Sequence, residues 1–335
     1  MGAGPVGLAI ALRLALAGIV VDVAEEESRL GEEPRAVAYY ASDLIALDKM
    51  AVIPDMEKAG FVSEGFCWRK PIHDDGQGGY LMGDAIARLP IPQDTTKESH
   101  GVGGNLYLPQ PELTKFLFEK ATATGLFTLH FEETLVRIKQ NALGIRATSR
   151  RDDIETTFQA SYLVSADGGQ SATRGLLDIP LRGYSWPEKL ISIDLLFEDS
   201  NLDTKFPSQF IVHPISCGFV TPLKPVETGK RTLYRCAVSL DPEDQTPVDE
   251  MNSITHVTSL LEKTLPGPRP INAKIIKTSL YRIHQLCAST FRRGRCVLAG
   301  DAAHLNDPMG GMGLSTDLID SEALCDILEM IILEE

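Results

Sequence analysis

The chain has 335 residues, of which 43% are hydrophobic and 23% charged, a composition typical of a globular protein with one large domain or two. Its formal net charge of -14 disfavours nucleic acid and anionic membranes as partners. The 6 cysteines include no Cys-x-x-Cys pair, which argues against a zinc or dithiol site. We therefore expect no metal, reduced thiols and a cytoplasmic location.

The chain opens with MGAGPVG, in which Gly2, Gly4 and Gly7 form a G-x-G-x-x-G pattern. Helix-forming residues follow, and the β-branched run at 19–23 predicts a buried strand that ends near Glu25. In a dinucleotide-binding unit, such glycines let the backbone approach a pyrophosphate, and a later acidic residue accepts hydrogen bonds from a ribose. The pattern predicts a nucleotide site, with a tightly packed glycine turn as the alternative.

The apolar run at 8–23 has to be distinguished from a targeting or membrane segment. It contains Arg13 and Asp22 and has no basic stretch before it. It is also shorter than the roughly 20 apolar residues that a membrane-spanning helix needs. We therefore expect neither a signal peptide nor a membrane span.

The next part of the chain mixes helical and strand patterns. Residues 67–104 are rich in Gly, Asp and Pro, and this composition predicts an irregular segment. The last predicted strand of this part runs directly into Asp167 and Gly168. The predicted elements are helices around 44–47 and from about 108 to 123, and strands at 126–130, 135–140, 144–149 and 162–166.

The pattern changes at about residue 180 and changes back at about 286. Strand-like runs separated by Pro and Gly turns predict an antiparallel sheet over 180–285, with one helix near 251–264. A buried strand at 296–299 then leads into a glycine-rich loop and a helix that continues to the C-terminus. We expect an α/β fold in which 1–179 and 286–335 form one domain and 180–285 a second.

Three stretches match one family in order and separation: GAGPVGL, SADGGQSATRGLLDI and GRCVLAGDAAHLNDPMGGMGL. They resemble the dinucleotide, DG and GD motifs of the FAD-dependent aromatic hydroxylases, the single-component flavin monooxygenases similar to para-hydroxybenzoate hydroxylase. The resemblance covers essentially the whole chain and is nearest to fungal members of secondary metabolism. It implies a Rossmann-like FAD-binding domain of the glutathione-reductase type and an antiparallel-sheet domain for the substrate.

The resemblance implies a role in FAD binding for individual residues. Gly2, Gly4 and Gly7 would hold the pyrophosphate and Glu25 the adenosine ribose. Asp301 would bind the ribitol. The other residues that it implies are Arg35, Gln110, Asp167, Gly168, Arg174, Gly300, Pro308, Gly310, Gly311 and Gly313, of which those from Pro308 onward form the loop beneath the isoalloxazine.

Some of these residues have plain structural alternatives. Arg35 and Arg174 could form surface ion pairs, and Asp167 could cap a helix. His304 fits a fixed position in the GDAAH turn better than a catalytic base. Phe210, His213, Phe219, Tyr234 and Tyr281 could line a substrate pocket or belong to the core.

The chemistry that the resemblance implies is carried by the cofactor. NAD(P)H would reduce the flavin, O2 would add at C4a, and the resulting peroxyflavin would transfer one oxygen to an aromatic, phenolic or polyketide-like small molecule. We therefore assign no catalytic side chain. No motif indicates an oligomer.

The sequence departs from the family pattern at three places. The strand that usually precedes the glycine loop and the usual C-terminal segment are both missing, and Ser315-Thr316-Asp317 replaces Asn/Thr-Gly-Gly. We expect the Asp317 carboxylate to repel a reduced, anionic flavin. Two alternatives to the oxygenase stay open. The first is a shortened descendant that binds FAD weakly or not at all and is inactive or has a non-redox role. The second is an FAD enzyme with another reaction, although the halogenase W-x-W-x-I-P pattern is absent.

Overall fold

The computed structural model describes residues 1–32, 35–91, 105–198, 206–215, 217–227, 229–308 and 311–334. We number the helices and strands in chain order. The helices are α1 (Pro5–Leu16), α2 (Ala41–Asp48), α3 (Ile53–Ala59), α4 (Gln110–Ala123), α5 (Ala172–Leu176), α6 (Ile254–Thr264) and α7 (Gly313–Glu334).

The strands of the first part are β1 (Val21–Ala24), β2 (Ala38–Tyr39), β3 (Phe61–Ser63), β4 (Gly65–Arg69), β5 (His73–Asp74), β6 (Gly79–Leu81), β7 (Ala85–Pro90), β8 (Asn105–Tyr107), β9 (Phe127–His130), β10 (Thr134–Asn141), β11 (Gly144–Arg151), β12 (Ile154–Ala160) and β13 (Leu163–Ser165). Those of the second part are β14 (Leu181–Phe197), β15 (Ser208–Ile211), β16 (Gly218–Pro222), β17 (Thr232–Ser239), β18 (Gly267–Pro268), β19 (Ala273–Ala288), β20 (Arg292–Arg293), β21 (Cys296–Leu298) and β22 (His304–Leu305).

Two pairs of parallel strands flank the first residues of the chain. β1 pairs with β9, and β13 pairs with β21. Met1 and Gly2 lie between the two pairs, because the Ala166 N–H donates to the Met1 carbonyl over 2.8 Å and the Gly2 N–H donates to the Ala24 carbonyl over 2.9 Å. The carboxyl ends of β1, β13 and β21 therefore meet around the glycine turn, which is where ligands bind in open α/β sheets.

Helix α1 packs into the largest apolar core. Its residues Leu8 and Leu12 are fully buried against Leu113 and Leu117 of α4 and Leu318 of α7. Each of these leucines contributes about 1.5–3 kcal/mol by leaving water. The helix ends as the sequence predicts, since Gly18 follows with a φ of 86°.

The antiparallel sheet has the strand order β22-β19-β14-β17-β16-β15-β4-β7. One face carries Ile191, Ile193 and Val238 and packs on Val257 and Leu261 of α6. The opposite face carries the residues that alternate with these along the strands, and it includes the aromatic and polar side chains described below.

Most helices and strands lie where the sequence predicts them, and two segments differ from the prediction. The helices near 5–17, 44–47, 108–123 and 251–264 are confirmed, as are the strand regions around 19–23, 126–149, 162–166 and 296–299. The described part of the segment predicted to be irregular, residues 67–91, contains strands, and β4 and β7 form one end of the large sheet. Residues 92–104 of that prediction lie outside the described residues. Most of β19 lies within the sheet predicted over 180–285, but no separate strand was predicted at its position.

The physical reason is the same for both errors. β7 is almost entirely exposed, and β19 is mostly half-buried and mixes polar with apolar residues. Neither strand has an apolar period of two, and each forms because a neighbouring strand supplies the hydrogen bonds.

Candidate functional site

Of the three glycines predicted to form the turn at the start of α1, two occupy positions where a side chain would clash. Gly2 has a φ of 91°, and a Cβ there would lie 2.3 Å from the Ala166 carbonyl oxygen. A Cβ at Gly7 would lie 2.0 Å from the carbonyl oxygen of Gly2. Both glycines are needed for the close approach of turn, helix and strand.

Gly4 is different, because its Cβ would meet nothing within 4 Å. It is the N-cap residue of α1, and the first turn has neither a side-chain cap nor an acidic residue. The N-terminus of the helix therefore faces open space at Gly4, with no cap or acidic side chain from its own first turn. This arrangement fits a bound pyrophosphate in shape and charge.

Glu25 lies at the end of β1 beside this turn. Its Oε2 accepts a hydrogen bond from the Ala3 N–H over 2.6 Å, and its Oε1 accepts one from the Glu27 N–H over 2.9 Å. The carboxylate thus holds the glycine turn, and each oxygen retains acceptor capacity for a ribose hydroxyl. A solvent-open cleft of about 540 Å³, lined in part by Glu26, Glu27 and Val136, starts at the next residue.

The DG motif forms a second tight turn at the end of β13. Burial tends to raise the pKa of Asp167, but hydrogen bonds from Ser165, Ser171 and the Thr173 backbone lower it below its ordinary value. Asp167 accepts from both the N–H and the hydroxyl of Thr173 over 3.0 Å. It contacts the first turn of α5 but is not its N-cap, which is Ser171. Gly168 has a φ of 78°, and the space where its Cβ would lie is open.

Arg174 is not a surface ion pair, which was the alternative for this residue. Its Nη1 donates to the Ala302 carbonyl over 3.0 Å, and its Nη2 donates to the Gly169 carbonyl over 2.6 Å. Burial lowers the pKa of this guanidinium, and the charge of Asp167 acts in the opposite direction. The side chain thus ties the DG turn to the GD turn.

The GD motif follows β21 as a 3-10 turn over Gly300–Ala302. Gly300 has a φ of 59°, and its Cβ would lie 3.0 Å from the Val6 side chain, so this turn packs on the first turn of α1. Burial raises the pKa of Asp301, while the charges of Arg35 and His304 act to lower it. The structure therefore brings Asp301 and Arg35 into one electrostatic neighbourhood.

Arg35 and Gln110 lie together because their backbones are linked. The Gln110 N–H donates to the Ala36 carbonyl over 3.0 Å, and the Ala36 N–H donates to Gln110 Oε1 over 3.3 Å. The Arg35 side chain itself is exposed. Its backbone carbonyl accepts a hydrogen bond from Arg235 of β17.

The loop predicted beneath the flavin leads into α7. Gly311 has a φ of 64°, and its Cβ would lie 3.1 Å from the Tyr40 hydroxyl. Gly313 begins α7 with open space at its Cβ position, and Pro308 precedes the loop. Gly310 lies outside the described residues.

Asp317 in the first turns of α7 differs from what the sequence suggested. Its side chain is buried, and burial together with the charges of Asp301 and Asp320 raises the pKa of Asp317 to about 8. It is therefore mostly uncharged at neutral pH, and the expected repulsion of an anionic flavin does not follow. Burial is the largest of these causes, and His304 Nδ1 lies 3.7 Å from Asp317 Oδ1, beyond hydrogen-bond distance.

His304 connects the GD turn to α7, which agrees with a fixed structural position. Its Nε2 lies 2.7 Å from Asp320 Oδ2, on the solvent side of the helix. Closer to the loop, Ser315 donates from Oγ to Asp43 Oδ2 over 2.8 Å. These two contacts hold the first turns of α7 against the GD turn and α2.

Four aromatic rings form a continuous wall on the open face of the large sheet. Trp68 stacks on Phe210 with ring centroids 5.3 Å apart and planes at 12°. Phe219 and Phe66 lie 4.7 and 5.9 Å from the same ring. Tyr40, which touches the Gly311 loop, lies 6.3 Å from Phe66, so the wall begins beside that loop.

The sequence identified only part of this wall. Phe210 and Phe219 belong to it, whereas Tyr234 packs in the core on the other face and His213 is exposed. Tyr40, Phe66 and Trp68 were missed, because their contribution depends on β4 joining the sheet. The short apolar run Phe66-Cys67-Trp68, with two aromatic residues, would have favoured a strand.

Two kinds of feature are absent from the described residues, a cluster of metal ligands and a membrane-spanning helix. Within the described ranges, no three or more His, Cys, Asp or Glu side chains are grouped as metal ligands would be. No helix in the same part of the chain combines the length and apolar character that crossing a membrane requires.

The fold and the convergent glycine turns fit a dinucleotide-binding protein, and comparison with known proteins identifies its family. The family model described as an FAD binding domain matches residues 1–335. The chain belongs to this family, and its enzyme class is that of the FAD-dependent aromatic monooxygenases.

Among proteins of known activity, the chain is similar to the para-nitrophenol 4-monooxygenase of Pseudomonas sp. strain WBC-3, with 29% identity covering 99% of this chain and 77% of the relative. It is also similar to the 6-hydroxy-3-succinoylpyridine 3-monooxygenase HspB of Pseudomonas putida strain S16, with 27% identity covering 99% and 79%. The crystal structure of the p-nitrophenol 4-monooxygenase PnpA from Pseudomonas putida DLL-E4 superposes with a TM-score of 0.83 at 28% identity, covering 99% of this chain and 79% of that one.

Proposed function

We propose that this protein binds FAD and uses NAD(P)H and O2 to hydroxylate a phenolic or related aromatic small molecule. The observation that carries this proposal is the convergence of three glycine turns, one before α1 and one each after β13 and β21, beside an aromatic wall. Bound FAD would supply the oxygen-activating redox chemistry, and the protein would bind, orient and enclose the reactants.

The proposed FAD site follows the convergent turns. The pyrophosphate would lie over Gly4 at the N-terminus of α1, with Gly2 and Gly7 shaping the turn and Glu25 binding the adenosine ribose. Arg35, Gln110 and Asp301 would surround the ribitol region. The remaining proposed contacts are Asp167, Gly168, Arg174, Gly300, Pro308, Gly310, Gly311 and Gly313.

The proposed substrate site is the aromatic wall. Offset and tilted ring contacts at centroid distances of about 4.5–7 Å are favourable geometries for aromatic pairs, and the rings at Phe66, Trp68, Phe210 and Phe219 already adopt them with one another. A planar substrate ring would extend this stack beside Tyr40. The names of two relatives, which include a phenol and a hydroxypyridine, support the same class of substrate.

We also propose the domain division that the sequence suggested, with 1–179 and 286–335 for FAD and 180–285 for the substrate. The strands at 65–69 and 85–90 extend the sheet of the second unit. Because NAD(P)H is a cytoplasmic reductant and all 6 cysteines are unpaired, we place the protein in the cytoplasm.

The experiment is oxidation of NADH and NADPH by the FAD-loaded protein, with and without a panel of phenols that includes para-nitrophenol. We expect a substrate-stimulated rate with one nucleotide, matching O2 consumption, and a product that has gained one oxygen atom. NAD(P)H oxidation with hydrogen peroxide as the sole product for every ring compound would contradict the substrate class. Absence of FAD binding would contradict the whole proposal.

A further inference from the structure

A buried ion pair crosses the open face of the large sheet. Asp194 on β14 and Arg235 on β17 are directly opposite in register. Nε and Nη2 of Arg235 donate to the two carboxylate oxygens of Asp194 over 2.8 and 3.0 Å. The two side chains are only 8% exposed for Arg235 and 13% for Asp194, and the desolvation of such a pair offsets much of its Coulomb attraction. Stability alone is therefore a weak reason for its presence.

The third donor of Arg235 reaches out of the sheet. Its Nη1 donates to the backbone carbonyl of Arg35, 200 positions earlier in the chain. The next residue, Ala36, is bonded through its N–H and its carbonyl to Gln110 at the start of α4. The backbone at 35–36 is thus held from the sheet on one side and from a helix on the other.

The charge of the Arg35 side chain affects the pKa of Asp301 in the GD turn. The charge of Arg35 opposes the effect of burial on Asp301, so the two groups are electrostatic neighbours. Arg35 is exposed, and a free arginine side chain has about 2 kcal/mol of rotamer entropy. The position of this side chain relative to Asp301 therefore depends on how firmly its backbone is fixed.

We propose that Arg235, oriented by Asp194, is a positioning residue for FAD binding, because it fixes the backbone of Arg35 so that the Arg35 guanidinium is held at the flavin side of the Gly300–Asp301 turn. The proposal rests on the proposed function, since it takes Arg35 as a ligand of FAD. A guanidinium suits this task because its planar fork bonds a carboxylate with two donors and leaves others for a carbonyl. A lysine would keep the charge but not this geometry.

The test is a double-mutant cycle of Arg235→Lys and Arg35→Gln, read as the dissociation constant of FAD in a fluorescence titration. We expect Arg235→Lys to weaken FAD binding about tenfold in the otherwise wild-type protein, the effect of losing one charge-assisted hydrogen bond. In the Arg35→Gln background we expect Arg235→Lys to have no further effect. A role in general folding would weaken binding by the same factor in both backgrounds.

Two further variants keep the test independent of folding. Asp194→Asn retains an oxygen that can accept from Arg235 Nε, and it is expected to show the same dependence on Arg35. Arg13→Lys is the matched control, because Arg13 is also an ion-paired arginine with a 13% exposed side chain but lies far along α1 from the glycine turn. It should leave the FAD dissociation constant unchanged.

The outcomes separate this proposal from the proposed function. Equal losses with and without Arg35, or an Arg35→Gln variant that binds FAD like the wild type, would overturn the positioning role while the protein remains a flavoprotein. A wild-type protein that binds no FAD would overturn both. The proposal is supported if Arg235→Lys weakens FAD binding when residue 35 is arginine but not when it is glutamine.

Discussion

Replacing Asp317 by asparagine should stabilise the protein, and increasingly so as the pH rises. The carboxyl group of Asp317 is buried with a pKa of about 8, against an ordinary value of 3.8. Between these two values the folded protein holds a proton that the unfolded chain releases. The free energy of unfolding therefore falls with rising pH across this range and levels off above about pH 8.

The size of the effect follows from the two pKa values. One unit of pKa difference is about 1.4 kcal/mol, so the wild type loses about 1.4 kcal/mol of stability for each pH unit between pH 5 and 7. At pH 7 the accumulated cost is about 4 kcal/mol, which is the upper limit of the gain for a neutral side chain of the same shape. Asparagine at position 317 does not titrate and does not carry this cost.

Urea unfolding of the flavin-free wild type and the Asp317→Asn variant, at several values between about pH 5 and 8, measures the difference. Asp152→Asn, on an exposed turn, is the control for the loss of one carboxylate. We expect the free energy of unfolding of the Asp317→Asn variant, minus that of the wild type, to grow by more than 2 kcal/mol from pH 5 to pH 7. A difference that stays constant with pH, or a variant that is less stable at pH 8, would refute the reasoning.

Three further predictions concern the site. Gly4→Ala should leave the melting temperature nearly unchanged, because its Cβ meets nothing within 4 Å, but it should weaken FAD binding at least tenfold. By contrast, Gly2→Ala should destabilise the fold by about 3 kcal/mol or more in a melting experiment. Trp68→Ala should raise KM for the aromatic substrate without changing the FAD dissociation constant, and an unchanged KM would exclude this ring from the substrate site. Asp167→Asn should lower stability at neutral pH by about 1–2 kcal/mol, and this difference should disappear as the pH falls through the lowered pKa of Asp167.

The predictable part of this protein is the part that is local in sequence. The turn at Gly2–Gly7 depends on residues that are adjacent in the chain, and its glycines are explained by clashes within a few residues or with a neighbouring strand. The same holds for the turns at Asp167 and Gly300, each of which directly follows a short buried strand. Such motifs carry both the backbone conformation and the chemistry in one stretch of residues.

The rest depends on contacts between distant segments. The bond from Arg235 to Arg35 spans 200 positions, and nothing near either residue indicates the other. The charge state of Asp317 likewise depends on burial and on Asp301, which only the packed structure reveals. The aromatic wall required β4 to join a sheet formed mainly by residues beyond 180.

The most direct test of the account is an FAD titration of the purified protein beside its Gly4→Ala variant, followed by flavin absorption and quenching of flavin fluorescence. The account predicts saturable, stoichiometric binding by the wild type and at least tenfold weaker binding by the variant at an equal melting temperature. A folded wild-type protein that leaves the absorption and fluorescence of added FAD unchanged would contradict it.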